Sequence, residues 1–215
     1  MSEYVYNSRY TFLARCWWQS SAVRIEPESW ADSKRHLSTV WVESGSGGAR
    51  GHWDRYLQAE PDGVLEKNLN PSDYQSATQQ YYELFWFGAY AKGSYAHDKP
   101  LYYEIRPADR VWAVSRWVLD HSDNFLSGYV GAWPASEPKG ADRKPDGARL
   151  WRIDGLAREG LKQGDRHCNL QLLAPGGSKV CRYQRAGGRF FNTREGEAGF
   201  IALEILSIPH QFGEL

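Results

Sequence analysis

Cysteine and methionine are scarce in this chain: three Cys and one Met occur among 215 residues. Cys16, Cys168 and Cys181 stand at no spacing that a zinc site uses, and an odd count cannot make a closed disulfide framework. The separation of Cys168 and Cys181 suits facing strands of a hairpin, yet in a reducing compartment such thiols stay free. Charge of one sign is lacking as well, because 26 Lys and Arg balance 26 Asp and Glu. A duplex nucleic acid must be met by a basic face that neutralises phosphates, so no nucleic-acid partner is expected. No run approaches the ~18 apolar residues of a membrane span, which speaks against membrane insertion. The opening residues "MSEYVYNSRYTFLARCWW" have neither the continuous apolar segment nor the cleavage site of a secretory leader. The expectation is a soluble protein that is cytoplasmic or exported without a classical signal peptide.

Motifs of catalysis are missing too. There is no Gly-x-Ser-x-Gly elbow, no P-loop, no His-Glu-x-x-His and no Gly-x-Gly-x-x-Gly after a strand. Cys16 in "ARCWWQ" has strand-like flanks, whereas a nucleophilic thiol wants a helix N-terminus to lower its pKa. The six histidines stand singly, with no pair at metal-ligand spacing. No catalytic residue, metal or cofactor is therefore expected.

Aromatic residues are plentiful: 10 Trp, 13 Tyr and 8 Phe. Large rigid rings in that number cannot all be core. Helical periodicity is almost absent, its best windows being the short stretches 71–80 and 157–164. What recurs is short segments rich in β-branched and aromatic residues, bounded by Gly, Pro, Asp and Ser, which predicts an all-β protein. Twelve strands are predicted: "YTFLARCWW", "STVWVES", "RYLQAE", "YYELFWF", "PLYYEIRP", "RVWAVSRWVLD", "SGYVGAW", "RLWRIDG", "NLQLLAP", "KVCRYQR", "GRFFNT" and "FIALEILSI".

An internal repeat is also predicted. "RYLQAEPDGVL" is matched by "RWVLDHSDNFL" and, more loosely, by "GRFFNTREGEAGF". Around each match lie an opening strand (40–43, 102–106, 170–173) and a closing strand (82–86, 150–153, 203–206). A unit that cannot bury its own apolar face must stack on copies of itself. Three successive four-strand units resemble the β-trefoil, in which six strands close a short barrel and three hairpins cap one end. The third unit, "CNLQLLAPGGSKVCRYQRAGGRFFNTREGEAGFIALEILSI", is the most similar to one lobe of the ricin-B-like and fascin-like trefoils. The Gln-x-Trp triplet of ricin-type lectins is absent. The resemblance covers residues 38–209 and implies lobes of 38–99, 100–167 and 168–215, with residues 1–37 an N-terminal extension or, through "YTFLAR", the first strand. A β-sandwich is the rival architecture, since strands of this length serve equally in two packed sheets.

Glycan recognition needs an aromatic ring under the apolar face of a pyranose and fixed polar groups for the vicinal hydroxyls. Trp117, Asp120, His121, Asp123, Asn124, Tyr129 and Trp133 form the densest such cluster in the sequence. Trp53, Tyr56 and Asp62 make a poorer counterpart in the first unit, and Asn192 marks one in the third. The plain alternative is that Asp and Asn populate turns by bonding their own backbone, and that alternate aromatics are core. The leading expectation is a non-catalytic, lectin-like binder of glycans or glycoproteins, gaining avidity from several lobes or from a homodimer. Alternatives are a protein-binding trefoil, as a cytoskeletal scaffold or a protease inhibitor presenting the 134–147 loop, and a glycan-processing β-sandwich enzyme using Asp120 and Asp123. Those two carboxylates lie closer in sequence than the facing pair that glycoside hydrolysis demands.

Overall fold

The computed structural model describes residues 4–19, 36–43, 57–60, 80–108, 117–122, 128–134, 149–157, 159–185 and 188–208. Among these the chain is all-β with antiparallel pairing throughout, and a single 3-10 turn at Ser8–Tyr10 is the one helical element. The strands are β1 (Tyr4–Tyr6), β2 (Phe12–Gln19), β3 (His36–Glu43), β4 (Leu57–Glu60), β5 (Gln80–Tyr82), β6 (Leu84–Lys92), β7 (Leu101–Ala108) and β8 (Trp117–His121). They continue with β9 (Val130–Pro134), β10 (Arg152–Asp154), β11 (Arg166–Leu173), β12 (Cys181–Arg185), β13 (Gly188–Asn192), β14 (Glu197–Ala198) and β15 (Phe200–Ser207). Each of the twelve sequence-predicted segments contains a strand; β1 and β14 are additional. Of the two helical windows, the described part of 157–164 holds turns, and 71–79 lies outside the described residues.

The pairings curl the large sheet around one core. β2 pairs with β15 along one edge; along the other, its first half pairs with β6 and its second half with β3. β6 pairs with β7. Tyr103 of β7 then exchanges both backbone hydrogen bonds with Trp151, at 2.7 and 2.8 Å, and Trp151 runs straight into β10. β10 pairs with β11, and β11 pairs with β15. The circuit β2–β6–β7–β10–β11–β15 thus returns to β2. Three hairpins, β3–β4, β8–β9 and β12–β13, project from it. They meet one another where β4 pairs with β13 at Gln58 and Phe190, and where Tyr129 bridges to Asn192.

Strand alternation explains the interior. Successive side chains point to opposite faces, so Phe12, Ala14, Cys16 and Trp18 of β2 face inward with Phe85, Phe87 and Ala89 of β6. Tyr103 and Ile105 of β7, Trp151, Leu170, Leu172, Ile201, Leu203 and Ile205 fill the same core. Phe12 stacks on Phe87 at 4.8 Å between ring centroids, and Trp18 meets Phe191 edge-on at 5.3 Å. Trp151 is fully buried, and its indole N–H donates to the Leu119 carbonyl at 2.9 Å, tying the circuit to the β8–β9 hairpin. A small apolar void remains between Cys16, Phe85, Ile105 and Leu119.

Two irregularities are satisfied locally. Between β1 and β2 the chain leaves the β6 edge for one 3-10 turn, and the Thr11 hydroxyl accepts the hydrogen bond of the Ala89 N–H at 3.0 Å. In β11 the register shifts between His167 and Leu170, where Asn169 takes a positive φ of 59°. The buried Gln19 side chain fills this bulge, accepting from the Asn169 N–H at 2.7 Å and donating to its Oδ1 at 3.3 Å.

The structure changes two expected equivalences. The strand that opens the circuit is β2, from "YTFLARCWW", whereas 40–43 belongs to β3, the first strand of a hairpin. "RYLQAE" and "GRFFNT" are second strands of their hairpins, β4 and β13, while "RWVLDH" is a first strand, β8. Similar strand–turn–strand wording therefore aligned segments that occupy different positions, since turn residues recur at every hairpin.

Candidate functional site

Of the sequence-predicted cluster on the second hairpin, Asp120 and Tyr129 are buried. Asp120 is wholly buried; its Oδ1 accepts the backbone N–H of His121 at 2.8 Å, and its Oδ2 lies 3.4 Å from Arg149 Nε. The His121 ring is 3.6 Å away through Nδ1. A carboxylate buried this deeply requires such partners, because an unpaired charge out of water is costly. Tyr129 is 3% exposed and meets Tyr183 and Phe190 edge-on at 5.7 and 6.0 Å. Asn192, 2% exposed, accepts with Oδ1 from the N–H groups of Arg194 (2.7 Å) and Glu195 (3.1 Å), the side chain acting as a turn cap. Gly128 carries a φ of +96°, and a Cβ there would come within 2.6 Å of Asn192 Oδ1. Tyr129 and Asn192 thus join the second and third hairpins, while Asp120 ties the second hairpin to Arg149, and all three side chains are turned away from solvent. Trp117, His121 and Trp133 stay half-buried at the border of this region. Asp123, Asn124, Trp53, Tyr56 and Asp62, and the 135–147 part of the long loop, lie outside the described residues.

A second aromatic cluster lies on the outer face of β1, β6 and β7. Because Phe85, Phe87, Ala89 and Ala91 face the core, Trp86 and Tyr90 must face out. Tyr6 pairs with Tyr90, and Tyr90 with Tyr102, so three tyrosines stand in one row across three strands. Tyr6 is 48% exposed; its ring lies nearly parallel to Trp86 (23°, 6.4 Å) and tilted against Tyr90 (63°, 5.6 Å). Tyr4 meets Tyr102 edge-on at 5.3 Å. A Cβ on Gly88 would fall 2.0 Å from Trp86 Cη2, so the indole is laid down over the glycine and against the sheet. Val5, 49% exposed, is the other large apolar side chain left in solvent on β1.

Charged groups flank this row as internal pairs. Arg106 donates to Glu104 at 2.5 Å on β7, and Arg152 donates to both oxygens of Asp154, at 2.8 and 3.2 Å, on β10. Burial, then the neighbouring Glu104 carboxylate, pushes the Tyr90 phenol up, so it stays a neutral donor and acceptor at physiological pH. The hydrogen bond to Asp154 holds the Arg152 guanidinium up, with the nearby Tyr102 adding to the effect. Sequence reasoning did not single out Tyr4, Tyr6, Trp86, Tyr90 and Tyr102. Their signal is the phase of the alternation in "EYVY", "LFWFGAYAK" and "LYYEIRP": small or apolar residues on one parity, rings with polar handles on the other.

The three thiols are buried or half-buried. Cys16 lies inside the core, where burial pushes its pKa far up; Cys168 and Cys181 are half-buried and form no disulfide, with Cys181 also raised by burial. Among the described residues, no three or more His, Cys, Asp and Glu gather to hold a metal ion, and no helix is long and apolar enough to cross a membrane. No protein-family model matches the chain, and neither curated proteins nor solved structures give a match.

Proposed function

We propose that this chain is a glycan-binding β-trefoil whose site is the outer aromatic face of β1, β6 and β7. The trefoil reading is supported by the order of pairing. β2 and β6, β7 and β10, and β11 and β15 would be the first and fourth strands of three lobes, and β3–β4, β8–β9 and β12–β13 the three capping hairpins. Two separate packed sheets would have no need of the Tyr103–Trp151 bridge that links β7 to β10.

The observation that carries the glycan reading is the half-exposed Tyr6 ring set beside the flat-lying Trp86 indole. Rings that keep an apolar face and a polar tip in solvent match a sugar, whose C–H face is apolar and whose rim is hydroxylated. The Glu104–Arg106 and Arg152–Asp154 pairs offer acceptors and donors side by side, as vicinal hydroxyls require. Isothermal titration against a panel of neutral oligosaccharides tests this. Binding that weakens by roughly tenfold or more in Trp86→Ala, about 1.4 kcal/mol, supports the proposal. Absence of heat with every saccharide at millimolar concentration refutes it.

A further inference from the structure

Building on the glycan-binding reading, we infer that the ligand is an uncharged polysaccharide chain gripped along its length, across β1, β6, β7 and β10. The first ground is direction. The register Tyr6–Tyr90–Tyr102 runs perpendicular to the strands, and the Tyr103–Trp151 bridge carries the same line on to Arg152 of β10. Four strands side by side span three spacings, about 14 Å. A single sugar would occupy only part of such a line, whereas several consecutive rings would use all of it.

The second ground is shape. Trp86 lies down over Gly88, where any other residue would lift it, so the surface beside Tyr6 is flat, while the other side of the indole packs against the buried Leu13, Leu84 and Ala108. A flat strip suits the middle of a chain, whereas a terminal residue gains from a pocket.

Charge is the third ground. Arg106 and Arg152 are each neutralised by a carboxylate two residues away on the same strand, leaving the exposed Lys92 at the rim as the remaining cation of the strip among the described residues. Lys92, Arg106 and Arg152 against Glu104 and Asp154 leave the strip close to neutral, without the cluster of unpaired basic groups that an anionic polymer calls for. A neutral polyol instead exchanges its water hydrogen bonds for those of the paired groups and the tyrosine hydroxyls.

The experiment is isothermal titration of the full chain with neutral β-linked gluco- and manno-oligosaccharides, from monosaccharide to hexasaccharide, with heparin as the anionic arm. Affinity is expected to climb by at least about tenfold from monosaccharide to tetrasaccharide and then level off. In Tyr102→Ala the gain from the longer chains should shrink while the shortest binding oligosaccharide keeps its affinity. Arg152→Ala, at the end of the strip far from Tyr6, serves the same comparison should Tyr102→Ala fail to fold. Equal affinity for monosaccharide and hexasaccharide overturns the extended-chain inference while leaving glycan binding intact. Preference for heparin overturns the uncharged ligand. Silence with every saccharide removes the glycan reading itself.

Discussion

Two regions of this molecule use the same residue types and put them to opposite ends. Around β8–β9, an aspartate, an asparagine and a tyrosine are buried; the tyrosine and asparagine hold one hairpin against the next, and the aspartate faces Arg149. Across β1, β6 and β7, a half-exposed Tyr6 and the half-buried Tyr4, Trp86, Tyr90 and Tyr102 lie on the outer face beside two ion pairs. The difference lies in which parity of each strand faces the core, and that is decided by the strand on the other side. Aromatic and polar content alone therefore says little about binding, and burial decides between a joint and a surface.

Several substitutions would break or sharpen this contrast. Trp151→Ala should cost the most, about 3–5 kcal/mol by chemical denaturation, because it empties a fully buried site and strands the Leu119 carbonyl. Asp120→Ala comes next, at about 2–3 kcal/mol. That lies below the range for a fully buried pair, since Arg149 keeps some contact with water. Its glycan affinity per folded molecule should not change, which separates the joint from the surface. Gly128→Ala is expected to cost about 1–3 kcal/mol, from an unfavourable φ and the Cβ approach to Asn192.

A pH titration of stability adds a smaller effect. Burial lowers the pKa of His167 below its ordinary 6.5, only partly offset by Asp165, and its Nε2 has no hydrogen-bond partner among the described residues. The fold therefore prefers the neutral imidazole. Stability is intact above 6.5 and falls as the pH drops from there toward the lower folded-state value, because the unfolded chain takes up the proton first. In His167→Gln that acid-side slope should diminish. Tyr6→Ala stands last for stability, within about 1 kcal/mol for a half-exposed edge residue, yet it should be among the most damaging for glycan binding.

Much of the fold was legible in the sequence, because strand alternation and turn chemistry are local. "FIALEILSI" and "LYYEIRP" announce both their strands and their faces. The repeat was less legible: "RWVLDHSDNFL" and "RYLQAEPDGVL" share wording but sit on different strands of their hairpins, since position in the circuit is fixed by partners more than a hundred residues apart, such as Trp17 and Ala202. The candidate site was the least legible part. Asp120 and Asn192 read equally well as ligand groups or as caps, and only packing distinguishes them. Tyr6 sits in a strand of three residues, too short for periodicity to mark, and becomes meaningful only beside Trp86.

The most direct test is amide and indole chemical-shift mapping by NMR during titration with a neutral gluco-hexasaccharide. The account predicts changes concentrated at Tyr6, Trp86, Tyr90 and Tyr102, with Asp120, Tyr129 and Asn192 unmoved. Changes confined to the β8–β9 hairpin, with the outer rings silent, would contradict it.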